Sequence, residues 1–264
     1  MGWSGVPGEM LCSFAELDVI GEALRVDVRR FPFTIGHHGA TREERIGLVE
    51  AVHRDLLGRG LISGTEFAPE LVTALHVFAL GHLTIALVGT AGHTRPVALA
   101  AADGRTGVVA VQHGESIGFR LIAPDAVVRG LVGLLPAMRQ GPGSSVTVTD
   151  TSTPVRRRQV EDDFSEQTFT AKVKAVVPSA TGDRAVAEEI LRRPRLGTGY
   201  FLASARGRNG QETTLGTLNY LDTDAGRYAV IQTTSSDGRV AATYTPADQA
   251  ALDRHLTRIV DSHR

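Results

Sequence analysis

Residues 192–258 read RRPRLGTGYFLASARGRNGQETTLGTLNYLDTDAGRYAVIQTTSSDGRVAATYTPADQAALDRHLTR. Short runs rich in β-branched and aromatic residues alternate there with turn clusters at Arg208-Asn209-Gly210, Asp222 to Gly226 and Ser235 to Gly238. That alternation predicts an antiparallel meander. The last run ends at Thr245-Pro246-Ala247-Asp248, and Ala251, Leu252, Leu256, Ile259 and Val260 follow at helical spacing. Thr245 is expected to cap that helix, with Pro246 at its first position and Asp248 near its positive end. Four strands thus feed one closing helix.

The same unit occurs upstream. From Pro69 a helical pattern leads into apolar runs at Leu83–Val88, Pro96–Ala101, Gly107–Gln112 and Ser116–Ile122, and Pro124-Asp125 opens another apolar helix. Asp103-Gly104-Arg105 corresponds to Asp224-Ala225-Gly226-Arg227, and Pro124 to Pro246, an offset of 122 residues. A spacing this long, shared by five elements, predicts two related halves rather than a solenoid. The expected fold is α+β, with an antiparallel sheet containing strands from both halves. The halves are residues 1–140 and 141–264, within one compact unit.

The 264 residues are ample for a full hydrophobic core. A formal net charge of −1 gives no global attraction to nucleic acid or anionic lipid. Cys12 is the sole cysteine, which excludes an internal disulfide and a thiolate metal cluster. No basic segment followed by an apolar core stands at the N-terminus, so no signal peptide is expected. The run Val77–Gly89 is too short to span a bilayer. The expectation is a soluble cytoplasmic protein.

In chain order, residues 1–10 show no periodicity and read as frayed. Ser13 and Glu16 form a capping box for a helix over Phe14–Leu24. A strand is expected over Val26–Ile35, closed by Gly36-His37-His38-Gly39. Thr41 and Glu44 form a second capping box, for a helix with Ile46, Val49, Val52, Leu56 and Leu57 inward and its end at Gly58 or Gly60. Past Gly141-Pro142-Gly143 an extra strand is expected over Ser145–Asp150. Arg156-Arg157-Arg158 with Glu161-Asp162-Asp163 reads as a solvated charged segment. Phe164–Val177 and, capped by Asp183, Arg184–Arg193 read as helices.

Catalysis needs a nucleophile, an acid or base, or a metal, held by partners with defined roles. The sequence contains no nucleophile elbow, Walker loop, zinc-protease helix or dinucleotide fingerprint. His37-His38 lacks a third ligand at a recognised spacing and reads as a polar turn. His76 and His82 flank a helix end and read as structural. Asp222, Asp224 and Asp237 stand in hairpin turns, where Asp serves backbone hydrogen bonds. No cofactor or metal is expected.

Several stretches together resemble the EspG-type proteins of actinobacterial type VII (ESX) secretion. They are Arg193-Pro194-Arg195-Leu196-Gly197; Thr217-Leu218-Asn219-Tyr220-Leu221-Asp222-Thr223-Asp224-Ala225-Gly226-Arg227-Tyr228; Thr245-Pro246-Ala247-Asp248; Gly39-Ala40-Thr41 with Glu44-Arg45; Arg59-Gly60-Leu61; and the opening Phe14-Ala15-Glu16-Leu17. The resemblance implies a cytosolic, non-enzymatic chaperone of quasi-twofold build, with a central antiparallel sheet flanked by helical bundles. Its partner would be a helical secretion substrate: the PPE subunit of a PE–PPE pair, or a shorter ESX-type hairpin. An enzyme of unrecognised type and a dimerising regulatory protein are the rival classes.

A four-residue turn at Thr223–Gly226 would pair Asp222 with Arg227 and put Leu218, Tyr220, Ala229 and Ile231 on one core-facing side. Thr217, Asn219, Leu221, Tyr228, Val230 and Gln232 then share the other face, whose mixed character suits a partner contact. The alternative is that the chain's own helices cover both faces. Protein purified without a histidine tag is expected to carry no stoichiometric metal by elemental analysis and to show no salt-dependent DNA binding; one equivalent of tightly held zinc would contradict this reading.

Overall fold

The structure is a computed structural model, and it describes residues 8–150, 181–234 and 239–262. In chain order its elements are β1 (Met10–Ser13), α1 (Phe14–Leu24), α2 (Arg42–Gly58), β2 (Ile62–Ser63), β3 (Glu66–Phe67), α3 (Pro69–Leu80), β4 (Leu83–Ala91), β5 (Val97–Ala102), β6 (Gly107–His113), β7 (Ser116–Ile122), α4 (Val127–Val132), β8 (Val146–Asp150), α5 (Thr181–Arg192), β9 (Arg195–Arg206), β10 (Glu212–Thr223), β11 (Gly226–Thr234), β12 (Val240–Pro246) and α6 (Gln249–Asp261). A short 3-10 turn, Pro124–Ala126, precedes α4.

Ten strands form one sheet in the order β1-β7-β6-β5-β4-β9-β10-β11-β12-β8, and every neighbouring pair is antiparallel. The order reads alike from both ends. Each half is a four-strand meander whose last strand pairs with a fifth drawn from earlier in the chain: β1 beside β7, β8 beside β12. In each half a helix enters the meander (α3, α5) and a helix leaves it (α4, α6). The halves meet where β4 pairs with β9, from Leu83↔Ala205 to Ala91↔Gly197.

Period-2 alternation assigns the two faces of the sheet. On one face Ile85, Leu87, Ala98, Ala100, Phe201, Ala203, Leu218, Tyr220 and Ala229 form a core with α4 and α6. On the other, Ala86, Leu99, Ala110, Ile117 and Phe119 pack with α1, α2 and α3, and Leu221, Tyr228, Val230 and Val146 pack with Ala187 and Ile190 of α5. The meander-and-helix reading therefore holds in both halves.

Several local expectations fail, each for a physical reason. Residues 26–35 form no strand, because their backbone bonds locally, with Arg30 N donating to Val28 O at 2.9 Å. Their alternation survives, with Val26, Val28, Phe33 and Ile35 buried, but the backbone turns instead, as Phe33 N donates to Arg30 O. Met10 likewise belongs to a strand and not to a frayed end. In α2 only Val52 and Leu56 are buried; Ile46 (51% exposed), Val49 (41%) and Leu57 (49%) face outward. Polar contacts carry much of that helix's attachment. Asp248, not Thr245, caps α6 by accepting from Ala251 N at 2.8 Å, and Pro246 ends β12. Helix α5 starts at Thr181, so Asp183 lies in its first turn rather than before it. The segment Arg156–Asp163, the helix expected over Phe164–Val177 and the turn Ser235–Gly238 lie outside the described residues.

Both early capping boxes form as expected, at Ser13/Glu16 and Thr41/Glu44. Between those helices the side chain of Asp18 is almost fully buried. It accepts from Arg29 Nη2, from Arg45 Nη1 at 2.6 Å and from the His38 backbone N at 3.0 Å, tying α1 to α2 and to the connecting loop. His37 and His38 sit beside it as more distant neighbours, each with Nδ1 3.8 Å from the carboxylate. Burial raises the Asp18 carboxyl, but the His38 N–H and the two guanidinium groups outweigh that and hold it below its ordinary value. Cys12 is fully buried in the same core; burial pushes its thiol up to about 12, which leaves it an inert packing group.

On the opposite face, Asp222 does not serve its turn. Its carboxylate takes the buried Arg227 guanidinium in a two-pronged bond, 2.6 Å to Nε and 2.8 Å to Nη2, and Pro136 O accepts from Nη2 at 3.1 Å. The guanidinium carbon lies 5.7 Å from the centre of the Tyr220 ring. Asp222→Asn is expected to cost about 3–5 kcal/mol in urea unfolding, because it strands a buried cation, while Asp222→Leu with Arg227→Met costs far less. The acid limb of stability tests the Asp18 clamp. Its lowered pKa contributes stability that is full above the ordinary carboxylate range and is lost as pH falls through its folded value. Asp18→Asn should lower stability at neutral pH and flatten that acid loss; an unchanged pH profile would place the dependence elsewhere.

Candidate functional site: a half-open strip of the sheet

The register expected for the β10–β11 hairpin is the one observed: Asp222↔Arg227, Leu221↔Tyr228 and Asn219↔Val230. Thr217, Asn219, Leu221, Tyr228, Val230 and Gln232 share one face, but they differ in what covers them. Leu221, Tyr228 and Val230 are buried under α5, beside β8. Tyr228 is fixed further: its hydroxyl donates to Pro142 O at 3.0 Å, and its ring lies on Gly141, where a Cβ would come within 2.2 Å of it. The aliphatic and phenolic groups that make this face attractive to a partner attract the chain's own helix. Thr217 and Gln232 are exposed, and Asn219 is half-buried with its amide donating to Val230 O.

Pairing β4 with β9 extends this face in a direction the sequence does not disclose. One row of side chains crosses the sheet as Val97–Val88–Tyr200–Asn219–Val230–Tyr244, each neighbour a directly paired residue. The next row carries Ala86, Leu202 and Thr217. Helix α3 covers β5 to β7 and α5 covers β8, whereas Val88, Tyr200, Leu202 and Asn219 between them are half-buried and Thr217 is exposed. Burial raises the Tyr200 and Tyr244 phenols, as expected of rings lying on a partly dry surface. Among the described residues this is an amphipathic strip: two phenols, aliphatic side chains and a few short polar groups.

The strip ends in a groove. Thr90 and Thr198, two residues along from Val88 and Tyr200, line a cavity of about 380 Å³ with Gly92, His93, Thr94 and Arg95 of the β4–β5 hairpin and Arg195, Leu196 and Gly197 at the start of β9. The strands approach closely here. A Cβ on Gly197 would come within 2.5 Å of Thr90 O, so only glycine admits the bond from Gly92 N to Leu196 O at 2.7 Å. The sequence motif Arg193-Pro194-Arg195-Leu196-Gly197 thus forms one wall of the groove. Sequence reasoning did not pick out Val88, Tyr200 and Leu202. The alternation Thr198-Tyr200-Leu202 was visible, but not the strand that would lie beside it.

Among the described residues no group of three or more His, Cys, Asp or Glu is placed to hold a metal ion, and no helix is long and apolar enough to cross a membrane.

Comparison with known proteins gives the context. No curated protein matches the sequence. The solved structure of the Mycobacterium tuberculosis type VII secretion system chaperone EspG5, in complex with the PE25–PPE41 dimer, is similar with a TM-score of 0.61 at 11% identity, covering 96% of this chain and 96% of that one. At that identity the likeness concerns the fold, and it is the α+β fold described above. A sequence profile of the EspG family matches residues 13–258, which is nearly the whole chain. The chain belongs to the EspG family.

Proposed function

We propose that this protein is a non-enzymatic cytoplasmic chaperone of type VII secretion. It binds the PPE subunit of a PE–PPE heterodimer and keeps the pair soluble for export. The observation that carries the reading is the half-open strip around Tyr200 in a chain of this family. The EspG5 structure, which shares the fold, contains a PE25–PPE41 dimer, and that supports the class of partner.

The strip has the character such a contact needs. Aromatic residues surrounded by short polar groups release water readily and leave no buried charge unpaired when the surface is free. In this reading Thr217, Asn219 and Gln232 touch the cargo beside Val88, Tyr200 and Leu202. Leu221, Tyr228 and Val230 contribute from beneath, as the packed floor under α5. The halves 1–140 and 141–264 work as one unit, because the strip lies across their junction.

The test is capture by co-expression. Tagged protein is expressed with PE–PPE heterodimers from its own genome, with an ESX-type helical hairpin as competitor, and binding is measured after purification. Tyr200→Ala combined with Thr217→Arg is expected to fold, by circular dichroism, and to lose ~2 kcal/mol or more of affinity, roughly thirtyfold. Wild-type capture by the folded double variant would place the contact elsewhere on the molecule. A stable homodimer that captures no hairpin of either kind would favour a dimerising regulator.

A further inference from the structure

The groove at the end of the strip differs in chemistry from the strip itself. Arg95 and Arg195 reach it from two different elements, the β4–β5 hairpin and the start of β9, and both side chains are exposed. Several arginines of this protein are matched with carboxylates, among them Arg29 and Arg45 with Asp18, Arg59 with Glu16, Arg227 with Asp222, and Arg30 and Arg206 with Glu212, while others such as Arg42, Arg54 and Arg208 are solvated singly on the surface. Among the described residues neither Arg95 nor Arg195 has such a partner. Arg195 lies within electrostatic reach of the Tyr244 phenol on the strip's own row, and so stands near the surface that the cargo is proposed to use.

Two unmatched guanidinium groups around one recess produce a local positive potential in a chain whose net charge is −1. The recess is lined besides by Thr90 and Thr198, whose hydroxyls donate to the backbone at Thr198 O and Tyr220 O, and has an apolar rim in Leu196, which is 44% exposed. The Thr90 hydroxyl lies 3.4 Å from Thr198 O and 3.2 Å from Thr198 N, so it is held in place by the β4–β9 pairing. The walls are fixed by backbone: Ala91 N to Thr94 O at 2.9 Å closes the hairpin on itself, and Gly92 N to Leu196 O at 2.7 Å pins it against β9. A forked guanidinium accepts a carboxylate through two parallel bonds, and two guanidiniums from different elements can hold one carboxylate from both sides.

We infer that this groove is a carboxylate subsite for the cargo. It receives an acidic side chain of the helical partner between Arg95 and Arg195, with an apolar neighbour of that side chain against Leu196. The inference rests on the chaperone reading and adds a specificity element to it. The strip accepts an apolar tip of many sequences, while the groove selects tips that carry an acidic residue at the matching distance. A basic residue there meets two cations and is rejected, which is discrimination by repulsion as well as by attraction.

The experiment uses the full-length chain with the PE–PPE heterodimer that it captures best from its own genome. Arg95→Glu with Arg195→Glu is expected to lower affinity by roughly tenfold or more and to remove most of the salt dependence of binding, as loss of paired interfacial charges does. Arg95→Lys with Arg195→Lys keeps the charge but loses the fork, so it should retain the salt dependence of binding and lose part of the affinity. An acidic-to-arginine change at one position of the cargo tip should weaken binding to the wild-type chain and restore it to the double-glutamate variant. Single Arg95→Ala, in an exposed hairpin, serves if the double variant does not fold, with a smaller loss expected. Unchanged affinity and salt dependence in the folded glutamate variants, or no acidic tip position that rescues them, overturns the subsite while leaving capture by the strip intact. Absence of capture by the wild-type chain overturns the chaperone reading itself, and the subsite with it.

Discussion

The contact on which the rest depends is the pairing of β4 with β9, the only strand pairing between the two halves among the described residues. Without it there are two five-stranded sheets and no strip. Its centre is the directly opposed pair Gly89↔Gly199. Tyr220 of β10 lies over these glycines and donates its hydroxyl to Thr90 O at 3.0 Å. A Cβ on Gly89 would come within 2.4 Å of that hydroxyl, and one on Gly199 within 2.4 Å of Val88 O. The seam thus gives up two side chains to seat one large ring, with the Arg227 cation near its face and Asp222 neutralising the cation. Burial raises the Tyr220 phenol, so it stays a hydrogen-bond donor throughout the physiological range.

The near-twofold order of strands arises from a constraint on each half. A meander ends in an open edge, and each half closes that edge with a strand taken from the chain before its meander began. In the first half the closing strand also anchors the helix directly after it. Next to β1, Ser13 caps α1, and Phe14 N donates to Glu115 O of the β6–β7 turn. Helices α4 and α6, which leave the two meanders, pack against each other on one face and cover the seam from that side. The opposite side of the seam lies between α3 and α5, which stand over outer strands. The symmetry of the fold therefore determines where the half-open surface falls.

How much of this was legible in the sequence depends on the range of the interaction involved. Turn residues, capping boxes and period-2 alternation are local, and they located both meanders, the hairpin register around Thr223–Gly226 and helices α1 and α2. The strand expected over residues 26–35 failed because alternation reports burial and not a hydrogen-bonding partner; Val26, Val28, Phe33 and Ile35 are buried without a ladder. In α2 Val52 and Leu56 face inward as expected, but Ile46, Val49 and Leu57 do not, because Asp18, Arg45, Glu16 and Arg59 hold that region largely by charge, which hydrophobic spacing does not report. The face carrying Asn219 was grouped correctly, but which residues α5 would cover was not visible, since β8 and α5 come from distant parts of the chain. The groove was least legible. Arg95 and Arg195 are 100 residues apart, and only the seam brings them together.

The sheet's outermost strands have a consequence of their own. At one end of the sheet β1 offers an edge of only four residues, while the inner strands β9 and β10 run to twelve each. Long, flat, unpaired edges template strand addition by other chains, and short ones do so poorly. A tyrosine-bearing sheet surface gains from this asymmetry at its β1 end. There it presents side chains to its surroundings and almost no backbone to polymerise along.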